Sequence, residues 1–192
     1  MASVRSRYLP LPSQDSPDAG RLILRDGTTA TIHIAHPSDR SAMTKFFASL
    51  SESSKQYRFF GLARPTAKMI DGFCDNSDPH KHLSLVVTRS SGSSPRIIAT
   101  GNYVAANETT AEIAMAVDDE FQGKGIGTLL LERLSLLAAA NGLRRFWAVT
   151  MAENQPMLDV FRNSGFECHS HADNNYVEID FSVLPTEASV AR

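Results

Sequence analysis

From Arg21 the chain alternates apolar and polar positions: R-L-I-L-R is followed by Asp26-Gly27 and then by T-T-A-T-I-H-I-A. That pattern predicts two strands joined by a tight turn. After Pro37-Ser38-Asp39 the spacing changes, and Met43, Phe46, Phe47 and Leu50 recur three and four residues apart, as on one face of a helix. Ser51 to Ser54 read as a second helix start leading into K-Q-Y-R-F-F, and a third short helix covers Thr66 to Cys74 after Pro65. Leu83 to Arg89 is a strand, Ser90 to Pro95 a Ser/Gly/Pro loop, and Ile97 to Ala105 and Ala111 to Val117 two further strands. A long helix follows, with Ile126, Leu130, Leu134 and Leu137 on one face and Asn141-Gly142 at its end. Leu143 to Thr150 is a strand with a buried character. Glu153-Asn154-Gln155-Pro156 opens another helix, placing Met157, Leu158 and Phe161 toward the core, and Gly165 stops it. Phe166 to Ser170 and Tyr176 to Val183 close the chain as strands.

This order predicts an α/β (α+β) domain with one mixed, mostly antiparallel sheet. Its expected extent is 21–184, with a flexible leader over 1–20, rich in Pro, Ser and Asp, and a small polar tail over 185–192.

The junction between the strand Ala111 to Val117 and the long helix reads V-D-D-E-F-Q-G-K-G-I-G-T, from Val117 to Thr128. Glycines alternate at 123, 125 and 127. A loop without Cβ atoms can bring its backbone N–H groups close to a ligand. The helix that follows adds unpaired N–H groups and a positive dipole end. The combination suits a pyrophosphate, although the same glycines could form a helix start with no ligand. Two phosphate motifs do not fit: no Gly-Lys-Ser/Thr occurs, and the third glycine is misplaced for G-x-G-x-x-G.

What does fit is Q-x-x-G-x-G, Gln122 to Gly127, with N-x-x-M-L-x-V-F-x-x-x-G-F, Asn154 to Phe166, downstream. Together they resemble the acyl-CoA-binding core of the GNAT superfamily of N-acetyltransferases, over roughly Arg21 to Leu184. The upstream R-D-G-T-T-A-T-I-H-I-A-H-P-S-D and F-F-A-S-L-S-E-S-S-K-Q-Y-R-F-F-G, with A-E-I-A-M-A-V-D-D-E-F-Q-G-K-G-I-G, are similar to the bacterial protein lysine acetyltransferase branch. That branch includes domains that modify acyl-CoA synthetases. The resemblance implies a sheet with helices on both faces, acetyl-CoA as co-substrate, and an acceptor protein offering a reactive lysine.

It also implies roles for individual residues. The CoA pyrophosphate would sit on Gln122, Gly123, Lys124, Gly125, Ile126, Gly127 and Thr128; Lys124 could equally be a solvated surface lysine. The pantetheine arm would run beside Met115, Ala116 and Val117, with a backbone N–H near Val117 polarising the thioester carbonyl. Asn154 would hold the arm from the other side, or simply cap a helix. Glu112 is the expected general base. It stands on the face of its strand shared with the small Ala114 and Ala116, and partial burial is expected to raise its pKa. The alternative is an edge glutamate facing solvent; Glu108 is a weaker candidate base. Phe161 stands where many members of the superfamily carry a Tyr that protonates the leaving thiolate. A thiol is acidic enough to leave directly; Tyr57 and Tyr176 are the candidate phenols. Tyr57 to Phe60 would line the acceptor side, with at least one of the two Phe residues in the core.

Composition adds exclusions. Hydrophobic residues make up 42% and charged residues 21%, and the formal net charge is -2, so nothing in the balance points to a nucleic-acid or membrane partner. Cys74 and Cys168 are far apart and outside any CxxC motif, which fits free thiols and a cytoplasmic protein acting by direct attack on the donor. The pairs His80/His82 and His169/His171 lack a carboxylate or Cys at ligand spacing, and no metal is expected. Two other readings remain: acetylation of a small-molecule amine, and a non-catalytic acyl-CoA-binding domain. The oligomeric state is not readable.

Overall fold

The computed structural model describes residues 19–61, 64–91 and 94–184. The expected leader, except for Ala19 and Gly20, and the expected tail lie outside the described residues.

The chain runs β1 (Ala19–Ile23), β2 (Thr29–Ile34), a 3₁₀ turn (Pro37–Asp39), α1 (Arg40–Ser49), α2 (Glu52–Phe59), α3 (Ala67–Cys74), β3 (His82–Ser91), β4 (Ser94–Ala105), β5 (Thr110–Val117) and a second 3₁₀ turn (Asp119–Phe121). It continues through α4 (Ile126–Ala140), β6 (Arg145–Met151), α5 (Gln155–Arg162), β7 (His169–Asp173) and β8 (Tyr176–Ser182). The eight strands form one sheet in the order β1-β2-β3-β4-β5-β6-β8-β7. Every neighbouring pair is antiparallel except β5 and β6.

Local chemistry accounts for most boundaries. In the β1–β2 turn Gly27 takes a positive φ, and the Asp26 carboxylate accepts hydrogen bonds from the Thr28 amide and hydroxyl. Ser51, Thr66 and Asn154 cap α2, α3 and α5 by accepting from the backbone N–H of Ser54, Met69 and Met157. Two expectations shift. The loop over Ser90 to Pro95 is largely strand, because the β3–β4 ladder continues to the pair Ser91↔Ser94. The strand foreseen at Phe166 begins only at His169. Phe166 donates its N–H to the Ser164 hydroxyl and packs its ring on Phe181 at 5.0 Å, so it seals the core instead of extending the sheet.

Helices cover both faces. On β3, Leu85 and Val87 join the core around α4, while Val86 joins the core under α1, α2 and α3. This is the two-residue alternation of a strand buried on both sides. α4 departs from the one-faced helix that its spacing suggests. Leu129, Leu131, Ala138 and even Ser135 are buried along with Ile126, Leu130, Leu134 and Leu137, so the helix is wrapped nearly all round.

Two glycines permit that burial. A Cβ at Gly101 of β4 would lie 2.9 Å from Leu134 Cδ1, and one at Gly127 of α4 would lie 2.8 Å from Val160 Cγ2 on α5. The third glycine of the loop therefore serves helix packing. Gly127→Ala is expected to destabilise the fold by about 1–3 kcal/mol through overpacking. Combined with Val160→Ala, it should cost less than the sum of the two single changes. Urea unfolding of the three variants measures this coupling.

Candidate active site

The parallel pairing of β5 with β6 covers three positions, Thr110↔Arg145, Ala111↔Phe146 and Glu112↔Trp147. Beyond Glu112 the two strands part. β5 stays with β4 as far as Ala99↔Val117, and β6 stays with β8 as far as Met151↔Tyr176. The sheet thus opens into two leaves, and a cavity of about 760 Å³ fills the gap.

The opening leaves strand edges unpaired. Thr109 O accepts from Arg145 N on the β6 side, whereas Asp118 N donates to Ile98 O on the β4 side. Alternation along an antiparallel ladder therefore turns the backbone groups of Ile113, Met115 and Val117 toward the cavity. The Val117 carbonyl already accepts from Gln122 Nε2 at 3.2 Å.

At one end of the cavity lies the glycine loop. Gly123 and Gly125 have φ of 72° and 85°, the left-handed region that glycine tolerates best. α2, α3 and α5 are capped by side chains, but α4 opens on Gly125, which has none to offer, and no side-chain hydrogen bond caps it. The first-turn N–H groups of this fifteen-residue helix are left for an anion. Uncapped donors, a cradle without Cβ atoms and an adjacent apolar cleft fit a pyrophosphate with a pantetheine arm.

Eleven of the twelve residues expected at the site line this cavity: Glu112, Met115, Ala116, Val117, Gln122, Gly123, Gly125, Ile126, Gly127, Thr128 and Asn154. Lys124 is not among the lining residues. Its ammonium pairs with Asp26 at 2.8 Å and lies 4.9 Å from the centre of the Phe121 ring, and this contact holds the Asp26 carboxyl well below the usual range. Asn154 is buried and uses both ends of its amide, Oδ1 as the α5 cap and Nδ2 in a hydrogen bond to the Thr150 hydroxyl at 3.1 Å. The capping role is thus observed together with a place on the cavity wall.

Glu112 stands at the last position of β5 paired with β6, where the leaves separate, and it lines the cavity. It is exposed, so the partial burial expected from its apolar strand is absent. Strands flank Glu112 on both sides, at Val104 and Trp147, but its cross-strand neighbour Val104 is exposed as well, so this end of the sheet face is left uncovered. Ala114 and Ala116 line the cavity with it. Glu108 is exposed in the β4–β5 turn and lies outside the cavity lining.

A further wall of the cavity comes from α2. Tyr57, Arg58, Phe59 and Phe60 all line the cavity. Phe59 is buried in the core under α1 to α3, while Phe60, in the left-handed region at φ 50°, is exposed. The Phe60 ring meets Tyr176 of β8 at 5.9 Å, linking the two leaves. Phe161 is buried against Phe181, with its ring on the cavity wall. Among the described residues Tyr57 is the phenol that lines the cavity; Tyr176 does not. Cys74 and Cys168 lie outside the lining, and burial pushes both thiols up. His80 and His82 are each bonded to a backbone carbonyl, of Asn141 and Asp75 respectively. No group of His, Cys, Asp or Glu positioned to hold a metal is present among the described residues.

One contributor escapes sequence reasoning. Asp119 accepts from the amide and hydroxyl of Ser51 and the hydroxyl of Ser54, and Gln122 Nε2 reaches both Ser54 Oγ and Asp119. Burial acts to raise the Asp119 carboxyl, but these donors outweigh it and hold the group below its ordinary value. The network ties the start of α2 to the glycine loop across more than sixty residues of sequence. Its one visible signal is an acidic residue beside the loop and a Ser-rich helix start, with nothing to connect them.

Comparison with known proteins decides the family. Residues 47–166 match the acetyltransferase (GNAT) family. The chain belongs to that family. It is an acetyl-CoA-dependent N-acetyltransferase. An acetyltransferase of Pseudomonas aeruginosa is 27% identical over 145 residues, 74% of this chain and 77% of that protein. Acetyltransferase Pat of Mycolicibacterium smegmatis is 30% identical over 135 residues, 69% of this chain but only 37% of Pat. The crystal structure of the GNAT domain of S. lividans PAT superimposes with a TM-score of 0.76 at 29% identity, covering 85% of this chain and 96% of that one. These Pat proteins are the relatives expected from the resemblance to the protein lysine acetyltransferase branch. The GNAT acetyltransferase is accordingly α/β, with the mostly antiparallel sheet and flanking helices described above. Among the described residues no helix is long and apolar enough to cross a membrane.

Proposed function

We propose that this GNAT acetyltransferase transfers the acetyl group to the ε-amine of a protein lysine, with Glu112 as general base. The observation that carries this reading is the position of Glu112. It is a carboxylate at the fork of β5 and β6, in a cavity that the glycine loop and α2 also line and that is open to an incoming side chain. The likeness to Pat of M. smegmatis and PAT of S. lividans supports a protein acceptor, and an acyl-CoA synthetase is the acceptor class we favour.

Bound acetyl-CoA supplies the thioester whose acyl carbon the amine attacks, with the CoA thiol as leaving group. The glycine loop, Gly123 to Thr128, binds the pyrophosphate through backbone N–H groups. The N–H groups of Met115 and Val117, on the strand edge facing the cleft, hold the pantetheine arm and polarise the thioester carbonyl. Asn154, fixed by Thr150 and the α5 cap, shapes the opposite wall. A free lysine amine, of pKa about 10.4, is almost wholly protonated at neutral pH. Glu112 takes that proton, so that a neutral nitrogen forms the new C–N bond as the C–S bond breaks, and the nitrogen then loses a second proton to water to leave the amide. Phe161 offers no proton, so the thiolate leaves directly or is protonated by water or Tyr57. A location in the cytoplasm fits this reading, since acetyl-CoA and metabolic enzymes meet there.

Incubation with acetyl-CoA and a cell lysate, followed by mass spectrometry of modified lysines, tests the acceptor. Site-selective acetyl-lysine on an acyl-CoA synthetase is the expected result. Acetylation confined to small-molecule amines would overturn it.

A further inference from the structure

Arg58 is an unusual wall residue for a cavity that must admit a protonated amine. The Arg58 side chain lines the same cavity as Glu112. Its Cζ lies 5.1 Å from the ring centre of Phe59 and 5.3 Å from that of Phe73, so two aromatic rings hold the guanidinium. Nη2 donates to Asn102 Oδ1 at 2.7 Å, and Asn102 lies on β4 directly opposite Ala114. Nε is shut away from solvent with no hydrogen-bond partner. Five donors in a planar fork thus meet one neutral acceptor. No carboxylate of the described residues makes an ion-pair contact with it. Glu112 is the charge that acts on Arg58 through space. Desolvation works against the guanidinium, yet its pKa, lowered to about 10, leaves it charged at neutral pH.

A half-buried cation with a sealed, unpartnered Nε and no contacting anion is costly, and that cost is offset when a ligand brings the anion. Glu112 and Arg58 also present opposite charges within one cavity, the complement of an acceptor that carries both an ammonium and an anion. We propose that Arg58 binds an anionic group of the acyl acceptor, so that the enzyme selects amines with a carboxylate close to the reacting nitrogen. The carboxylate can come from an acidic residue beside a lysine in a polypeptide or from the acceptor's own backbone terminus as a small molecule. Asn102, Phe59 and Phe73 position the guanidinium. The inference rests on Glu112 being the group that receives the amine.

The test compares two matched acceptor pairs by release of CoA thiol. One pair is a lysine peptide with Asp or Asn before the lysine; the other is Nα-acetyl-lysine and its amide. Wild type is expected to favour the anionic member of at least one pair by about tenfold or more in kcat/KM, the scale of a charge-assisted hydrogen bond. Arg58→Met should remove that preference by raising the KM of the anionic acceptor while the KM of acetyl-CoA stays. Arg58→Lys, which keeps the charge but not the fork, should retain part of it. Should the Met variant fail a thermal-melt check, the Lys variant decides by a preference reduced several-fold. Equal use of both members, no turnover of any member, or a preference undiminished by the substitution would overturn the proposal. Equal use of the two members in both pairs, with the peptides turned over, leaves protein-lysine acetylation standing and removes only the role of Arg58. Turnover restricted to Nα-acetyl-lysine, lost in Arg58→Met, keeps the anion site and removes the protein acceptor.

Discussion

Replacing Glu112 with Gln is expected to lower kcat for acetyl transfer by about 10²- to 10⁴-fold at neutral pH, the usual range for loss of a general base. That corresponds to about 3–5 kcal/mol of activation free energy. The KM for acetyl-CoA should change little, because the glycine loop and the edge of β5 that face the donor do not depend on the carboxylate. Glu112 is exposed at the end of the β5–β6 pairing, so the substitution should leave the fold intact. The pH profile gives the sharper measurement. Without a base, the variant relies on the small fraction of acceptor already neutral, and its rate should climb about tenfold per pH unit toward the lysine pKa of about 10.4. The wild-type rate should level off earlier. A variant with unchanged turnover would remove Glu112 from the mechanism. Donor binding by the wild type without turnover of any amine would instead favour a non-catalytic acyl-CoA-binding domain.

The structure also changes the surroundings proposed for Glu112 as a base. Expected as a half-buried carboxylate, it stands at an opened edge, and the electrostatic work falls to its surroundings. Arg58 supplies a fixed positive charge on the α2 wall, held by Asn102 and two rings. The Asp119 network fixes the start of the same helix to the donor loop. The glycine loop and the α2 wall are thereby one hydrogen-bonded unit, although neither tie could be foreseen from local sequence.

What was legible in the sequence is what local physics dictates. The Asp26-Gly27 turn, the Ser51 and Thr66 caps and the uncapped glycine start of α4 each depend on a few adjacent residues. The cavity depends on where β5 and β6 part, and nothing in two apolar strand runs marks that point. Ile113 and Ala148 look like continuing sheet residues, yet they face a gap. Side-chain destinations were hidden for the same reason. Lys124 goes to Asp26, and Arg58 to Asn102, over sequence separations that no spacing rule spans. The roundly buried α4 reflects Gly101 and Gly127, whose missing side chains admit Leu134 and Val160.

Replacing Gly125 with Val is expected to raise the KM for acetyl-CoA by at least about 10-fold and to weaken CoA binding in calorimetry by a similar factor. Two effects act together. The residue has φ 85°, where an L side chain costs about 1–2 kcal/mol and a β-branched one more. Relief of that strain would rotate the peptide planes on either side and misdirect the N–H groups that open α4. Gly125 also lines the cavity, so an isopropyl group would stand where the backbone must approach the pyrophosphate. Gly123 shares the positive φ and lies on the same wall, but it is more exposed and precedes the helix by three residues, so Gly123→Ala should cost less. The order of the two effects separates a cradle from a mere turn. If the glycines only close the turn, each substitution should lower the unfolding midpoint without a specific loss of CoA affinity. If they form the anion site, Gly125→Val should lose affinity for CoA far more than for dephosphorylated pantetheine, which lacks the pyrophosphate. Equal losses for CoA and pantetheine would show that the loop does not hold the pyrophosphate.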